Sequence, residues 1–211
     1  LHAILVSAVA VFKLGSEGLH HASAAGPSVQ KPVAHKPLIA ARPACAAALR
    51  RVVATLLDRA KRLPPQSDAT WHGDLHSQNI LVSPTQVYLI DMDRLSIGPP
   101  LADLGSFLAE LAYRGCLSAE PFEATRRQLT SIVAAYRQRV SWPVSAADVA
   151  WFTACALIHE RALRCVTSLK LVHAETLDKL ISLAAQIVDA DPYIDAAKSA
   201  SDAMENAGEA A

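Results

Sequence analysis

Hydrophobic side chains recur at helical spacing over most of this chain. The clearest case precedes Pro64 and Pro65, which cannot continue a helix. Its apolar face comprises Leu49, Val52, Val53, Leu56 and Leu57. A later helix carries Leu104, Phe107, Leu108 and Leu111 on one face. The pattern also predicts helices over residues 1–25, 121–140, 145–171 and 174–188, whereas residues 26–43, which hold four prolines, indicate a loop.

One short stretch departs from the helical pattern. Residues 80–82 (Ile-Leu-Val) and 87–90 (Val-Tyr-Leu-Ile) favour β-strands, and the Ser-Pro-Thr-Gln segment 83–86 between them is typical of a turn. The pattern therefore predicts a β-hairpin, followed by a loop through residues 98–100 (Gly-Pro-Pro). Functional groups concentrate on loops that a rigid scaffold holds, so we expect a functional site around this hairpin.

Composition and charge limit the classes of function. The chain is 52% hydrophobic and 19% charged, which is typical of a globular protein, and its 20 basic and 20 acidic side chains cancel. This balance argues against nucleic acid or an anionic membrane as a partner. The apolar run 1–12 is too short to span a bilayer. We expect the four cysteines, which match no zinc-binding spacing, to be free thiols in the reducing cytoplasm: Cys45, Cys116, Cys155 and Cys165.

Polar residues with a recognisable spacing flank the predicted hairpin. His72, Asp74 and Asn79 precede its first strand as H-x-D-x-x-x-x-N, and Asp91 and Asp93 follow its second strand as D-x-D. A hairpin brings the outer ends of its two strands together, so we expect Asn79 and Asp91 to approach each other. Their side-chain oxygens are ligands that suit Mg²⁺, which neutralises the charge of a phosphoryl group during its transfer.

Phosphoryl transfer would explain why these residue types occur together. Asn79 and Asp91 would supply metal ligands, while the Asp74 carboxylate would orient an acceptor hydroxyl and accept its proton. His72 would brace the loop through hydrogen bonds. For Asp93, a position beside the metal and a structural role both stay open.

This constellation resembles the aminoglycoside phosphotransferase and choline-kinase family, whose catalytic core is shared with protein kinases. The resemblance rests on His-Gly-Asp-Leu-His-x-x-Asn, Ile-Asp-x-Asp and Gly-Pro-x-x-x-Asp-Leu-Gly, and it extends over about residues 44–111. It implies that Asp74 is the catalytic base and that Asn79 and Asp91 bind Mg²⁺ and, through it, ATP or GTP. It also implies that Asp103 stabilises the catalytic loop through its backbone, and that the acceptor is the hydroxyl of a small molecule.

Two features favour a small-molecule kinase over a protein kinase. Gly73 stands where a protein kinase has the arginine of its H-R-D loop. Only eleven residues separate Asp91 from Asp103, which leaves no room for a long activation segment. The expected acceptor is therefore a small molecule and not a protein.

The resemblance implies an α+β, mostly helical fold: a protein-kinase-like C-lobe with a short β-hairpin at the catalytic loop. Residues 1–43 would form a partial N-terminal helix and a proline-rich loop near the hinge, residues 44–190 the catalytic lobe, and residues 191–211 a flexible tail. The N-lobe would be largely absent, since the sequence holds no G-x-G-x-x-G loop to cover the phosphates. We therefore expect the chain alone to be weakly active or inactive.

Two other functions stay open at this point. One is a non-catalytic binding module that keeps the fold but lacks affinity for the nucleotide. The other is a metal-dependent hydrolase, because His72, Asp74 and His76 form a compact set of side chains that can bind zinc or manganese. On a late predicted helix, residues 159–161 (His-Glu-Arg) are expected to form a solvated or substrate-facing edge.

Overall fold

A computed structural model describes residues 35–63, 69–118, 121–167 and 174–189, and this part of the chain is mostly helical. In chain order its α-helices are α1 (His35–Ala41), α2 (Ala46–Ala60), α3 (Leu101–Leu117), α4 (Phe122–Arg137), α5 (Ala146–Ala156), α6 (Leu163–Thr167) and α7 (Ala174–Asp189). A π-helical segment, Leu157–Ala162, joins α5 to α6. One-turn 3₁₀ helices at Pro43–Cys45 and Ser77–Asn79 precede α2 and the hairpin.

Four strands of three residues each form two antiparallel pairs within the described residues. Strands β2 (Ile80–Val82) and β3 (Val87–Leu89) form the predicted hairpin, and the Ser83 N–H donates to the Gln86 carbonyl at 2.8 Å to close its turn. Strand β1 (Ala69–Trp71) pairs with β4 (Ser96–Gly98). This second pair joins the two ends of the segment 72–95, which contains the hairpin and most of the predicted site.

Helix α3 lies at the centre of the core. Its predicted apolar face is fully buried at Leu104, Phe107 and Leu108. Gly105 lets α3 approach α5 closely, because a Cβ at this position would lie 2.7 Å from the backbone carbonyl carbon of Phe152. Helix α5 packs in turn against α7, and the Trp151 indole N–H donates to the Leu56 carbonyl of α2 at 2.9 Å. The packed helices therefore form the rigid scaffold that carries the hairpin and its flanking loops.

The main elements predicted from the sequence are confirmed in the described residues. The hairpin, α2, α3, α4, α5 and α7 fall in the predicted regions, so the fold is α+β and mostly helical. Ser145 caps α5, since its Oγ accepts a hydrogen bond from the Asp148 N–H at 3.0 Å. All four cysteines are free thiols, as expected.

The prediction of a loop over residues 26–43 is wrong for His35–Ala41, which form α1. Pro37 is compatible with this helix because it stands in the first turn, where backbone N–H groups have no partner within the helix. The fully buried side chain of Leu38 holds α1 against the core. Strand β4 was not predicted, and it forms where the sequence indicates only a loop before residue 98.

Some predictions fall on residues that the structure does not describe. The predicted N-terminal helix over residues 1–25 lies outside the described ranges, and so does the predicted tail over residues 191–211. Within the described ranges, no helix is both long enough and apolar enough to cross a membrane.

Candidate active site

The predicted catalytic loop, residues 72–79, follows β1. A buried carboxylate holds the start of this loop in place. Asp103, in the first turn of α3, accepts hydrogen bonds from the backbone N–H groups of His72 (Oδ2, 2.5 Å) and Gly73 (Oδ1, 3.0 Å). Gly73 has a φ of +80°, and a Cβ there would lie 2.8 Å from the backbone oxygen of Arg94. The glycine at this position is therefore required by the backbone conformation and by the space available.

Burial changes the acidity of Asp103. Desolvation raises the pKa of its carboxyl from 3.8 to about 6, although the hydrogen bonds from the His72 and Gly73 N–H groups act in the opposite direction. At neutral pH the group is still ionised. Its hydrogen bonds to the loop are then charge-assisted, which makes them stronger than those between neutral groups.

His72 connects the start of the loop to the end of the hairpin. Its side chain is fully buried, and its Nε2 lies 2.8 Å from the carbonyl oxygen of Ile90. A carbonyl oxygen can only accept, so Nε2 donates this hydrogen bond. Within the described part of the chain, the buried Nδ1 makes no hydrogen bond. The ring therefore braces the residue before Asp91 against the loop that contains Asp74.

Asn79 joins the predicted catalytic loop to the hairpin from the other side. Its Nδ2 donates to the backbone oxygen of Asp74 at 3.1 Å, and its backbone oxygen accepts from the Ile90 N–H at 3.0 Å. Because Nδ2 is engaged in this way, the direction of the amide oxygen is fixed as well. Asn79 thus contacts the backbone of Asp74 directly and, through Ile90, the chain next to Asp91.

Asp91 has a backbone conformation that residues with a side chain seldom adopt. Its φ is +61°, and among the described non-glycine residues no other φ is positive. Such conformations persist only where the surrounding structure enforces them, and they concentrate at functional sites. Asp91 and Asp93 are both exposed to solvent. Asp93 lies in a turn that is closed by the Leu95 N–H, which donates to the Met92 carbonyl at 3.0 Å.

Two charged contacts of the predicted catalytic loop involve residues outside the set that the sequence predicted. The buried Glu110 of α3 accepts hydrogen bonds from the Ser77 N–H at 2.6 Å and the Ser77 hydroxyl at 2.9 Å. Arg164 of α6 places Nη2 3.5 Å from Oδ1 of Asp74. Glu110 follows Asp103 by seven residues, or about two helical turns, so both lie on the same face of the helix. This spacing could have predicted from the sequence that Glu110 also faces the loop. Nothing comparable indicated Arg164, because Asp74 is distant from it in the sequence.

The alternative of a metal-dependent hydrolase gains no support from the described residues, which include all three of its proposed ligands. No group of three or more His, Cys, Asp and Glu side chains in this part of the chain is arranged to hold a metal ion. The His72 ring is buried and its Nε2 is engaged by Ile90, so it does not join Asp74 and His76 in a cluster.

Comparison with known families gives one extended match. The family described as the phosphotransferase enzyme family matches residues 17–147, which is more than half of the chain. No curated protein matches the sequence.

Comparison with solved structures finds several that are similar to this chain. A choline/ethanolamine kinase family protein from Mesorhizobium loti has a TM-score of 0.61 and 14% identity, over 91% of this chain and 63% of its own. An aminoglycoside phosphotransferase candidate from Ralstonia eutropha has a TM-score of 0.48 and 16% identity, over 93% of this chain and 64% of its own. A spectinomycin phosphotransferase in complex with ADP and spectinomycin has a TM-score of 0.42 and 13% identity, over 92% and 57%.

The similarity to these structures is limited in two ways. This chain spans less than two thirds of the length of each of them. The identity to the Mesorhizobium structure is low, so this similarity concerns the fold and does not extend to the substrate.

Proposed function

Because this chain belongs to the phosphotransferase enzyme family, we propose that it transfers the γ-phosphoryl group of ATP or GTP to the hydroxyl of a small molecule. The observation that carries the proposal is the hydrogen-bonded set at the hairpin. In it, Asn79 bonds to the backbone of Asp74 and to the backbone of Ile90, the neighbour of Asp91. Phosphoryl transfer requires a carboxylate for the acceptor and oxygen ligands for a metal within one site, and this set supports their proximity.

Asp74 is the proposed catalytic base. In the reaction, the acceptor hydroxyl oxygen forms a bond to the γ-phosphorus, and the bond from this phosphorus to the oxygen of the departing nucleoside diphosphate breaks. Asp74 accepts the proton that the hydroxyl loses. The Asp74 side chain is 22% exposed, which supports the role because a substrate can reach it while most of the side chain is shielded from water.

Asn79 and Asp91 are the proposed magnesium ligands, and Asp93 is proposed to lie beside the metal. Both ligands offer oxygen, which is the donor that Mg²⁺ prefers. The hydrogen bond from Nδ2 to Asp74 supports this role for Asn79, since it fixes the direction of the amide oxygen. The unusual φ of Asp91 supports the role of its carboxylate. When bound, Mg²⁺ supplies positive charge that neutralises part of the phosphate charge.

His72 and Asp103 are proposed to position this machinery. Asp103 holds the backbone of His72 and Gly73, and the His72 ring holds the carbonyl of Ile90. These contacts connect the base to the residue that precedes Asp91. Their role is to keep the loop and the hairpin in one fixed arrangement, on which phosphoryl transfer depends.

The remaining parts of the proposal concern the rest of the protein. Residues 44–190 are proposed to be the C-lobe of a protein-kinase-like fold, residues 1–43 to lie towards the hinge, and residues 191–211 to form a tail. The 211 residues contain no G-x-G-x-x-G loop. Because positioning and electrostatic stabilisation supply most of the rate in this chemistry, the chain alone is proposed to be a weak catalyst. The proposed location is the cytoplasm, where thiols stay reduced.

The substitution Asp74→Asn tests the proposed base. The assay uses the protein as its gene encodes it, together with Mg²⁺ and a panel of small-molecule alcohols. It measures the release of nucleoside diphosphate from ATP and, separately, from GTP. We expect kcat to fall by about a thousandfold, within the range for loss of a general base. The free energy of unfolding should change by no more than about 1 kcal/mol, because the ion pair with Arg164 is partly exposed.

The matched control is Asp58→Asn, which also replaces an aspartate that pairs with an arginine: Asp58 lies on the surface of α2 and pairs with Arg62, which follows the end of this helix. It should leave turnover unchanged. If the Asp74→Asn protein keeps its turnover, Asp74 is not the base. If no alcohol in the panel is phosphorylated by the natural gene product, the kinase proposal fails and the non-catalytic binding module takes its place.

A further inference from the structure

Arg164 lies next to the position that the acceptor hydroxyl must occupy. Its Nη2 is 3.5 Å from Oδ1 of Asp74, which is longer than a typical N–H···O hydrogen bond. The Arg164 side chain is 45% exposed. A guanidinium group carries five N–H donors in a rigid plane, so Arg164 can approach Asp74 with one edge and offer its other donors to a ligand.

A second arginine on the same helical stretch, Arg161, is mostly buried. Its side chain is only 11% exposed, and within the described ranges its Nε and Nη2 are buried without a hydrogen-bond partner. Elsewhere in this protein the same two nitrogens of Arg42 hold the Asp178 carboxylate at 3.0 and 2.8 Å. Arg161 thus lacks, among the described residues, the carboxylate that binds Nε and Nη2 together in Arg42.

The acidic neighbour of Arg161 is already engaged by another group. Glu160 Oε2 lies 3.8 Å from Nη2 of Arg161, and the same oxygen accepts a hydrogen bond from the Ser106 hydroxyl at 2.6 Å. Glu160 and Arg161 belong to the π-helical segment Leu157–Ala162, and π-helical turns of this kind are frequent at functional sites. Glu160 is therefore shared between Ser106 and Arg161, and it leaves the two buried guanidinium nitrogens of Arg161 without a hydrogen bond among the described residues.

We propose that the acceptor alcohol carries an anionic group, a carboxylate or a phosphate, which Arg164 binds while Asp74 contacts the hydroxyl. This inference rests on the proposed function, because it concerns the acceptor of the same reaction. Arg161 strengthens the site through its field, since its Nε and Nη2 are covered in this conformation. A cationic acceptor would instead bring a positive charge towards the Arg164 guanidinium. The repulsion between the two charges is costly in a partly desolvated site.

A matched set of three-carbon alcohols tests the inference by binding alone. Glycerate, glycerol and 3-aminopropane-1,2-diol differ mainly in the charge of one end, and glycerol 3-phosphate separates phosphate from carboxylate. Each is titrated by NMR into the natural gene product without nucleotide. We expect the anionic compounds to bind most tightly. Arg164→Gln should weaken their binding about tenfold, as expected for one lost charge-assisted hydrogen bond at a half-exposed site, and should leave glycerol unchanged.

Two further variants make the result specific. Arg139→Gln removes an arginine charge from an exposed position after α4, where the guanidinium contacts the Ala135 carbonyl, and it should change anion binding by less than about twofold. Asp74→Asn removes the negative charge beside Arg164. Anion binding should then be unchanged or tighter, whereas binding of a cation would become weaker.

The outcomes separate this inference from the proposed function. Equal binding of the three charge types, tightest binding of the cation, or no effect of Arg164→Gln would overturn the inference, even if the enzyme turns over. An equal loss of turnover on all alcohols in the Arg164→Gln protein, without loss of anion binding, would also overturn it, because Arg164 would then act only by orienting Asp74. The proposed function fails instead if anions bind through Arg164 but no phosphoryl transfer depends on Asp74.

Discussion

The raised pKa of Asp103 predicts an unusual dependence of stability on pH. The perturbation is Asp103→Asn, which keeps the shape of the side chain and removes its ionisation. Burial raises the pKa of this carboxyl from 3.8 to about 6, so the folded protein binds a proton more tightly than the unfolded chain. The contribution of Asp103 to the free energy of unfolding of the wild type is therefore fully present below pH 3.8, and it decreases as the pH rises to about 6.

The size of the effect follows from the two pKa values. The change from 3.8 to about 6 corresponds to about 3 kcal/mol once the carboxylate is ionised in both states. At about pH 4.5 the unfolded chain is already largely ionised at this position, and about 1 kcal/mol of this cost is present. The stability of the wild type relative to the Asp103→Asn protein should therefore fall by about 2 kcal/mol between pH 4.5 and pH 7.5.

Urea unfolding of both proteins at about pH 4.5 and pH 7.5 measures this difference. Other titrating groups are common to both proteins and cancel. Asp178, whose pKa is lowered to about 2 by its hydrogen bond from Arg42, changes stability between about pH 2 and 3.8, below the chosen range. A difference that is independent of pH, or that grows in favour of the wild type as the pH rises, would refute the assigned effect of burial on Asp103.

Two other substitutions test the contacts that hold the proposed catalytic loop in place. Gly73→Ala should lower the free energy of unfolding, measured by urea titration, by at least about 2 kcal/mol. The reason is that φ of Gly73 is +80° and that a Cβ there would clash with Arg94. Unchanged stability would contradict this geometry. Glu110→Gln should cost about 2 kcal/mol and reduce kcat, because it weakens the bonds to Ser77. Its control, Glu123→Gln on the surface of α4, should change neither quantity, and equal effects of both would contradict the role of Glu110.

Local sequence signals were enough to predict the hairpin and most helices. The β-favouring runs on either side of the segment 83–86 encode the hairpin within eleven residues, so no distant contact is needed to recognise it. Ser145 and Asp148 similarly encode the start of α5 by themselves. The spacing of His72, Asp74 and Asn79 before a hairpin also predicted a site at this place, and the roles of these residues stay a prediction.

Features that depend on distant contacts were not accessible from the sequence. Strand β4 forms because Ile97 lies opposite Thr70, and neither neighbourhood alone is a strong strand signal. Helix α1 forms in a proline-rich stretch because Leu38 is buried by the rest of the core. The approach of Arg164 to Asp74 depends on how α6 packs, and a sequence pattern does not contain that information.

Helix α3 connects the two sides of the candidate site. Asp103 and Glu110 extend from it to the catalytic loop, while Ser106 extends to Glu160 on the segment that carries the proposed acceptor arginines. Gly105 sets the distance between this helix and α5, from which that segment continues. A displacement of α3 would therefore alter both the loop that carries Asp74, the proposed base, and the helix that carries Arg164. For this reason the buried polar residues of α3, which touch neither the proposed metal nor the hydroxyl, should affect turnover more than their distance from the chemistry indicates.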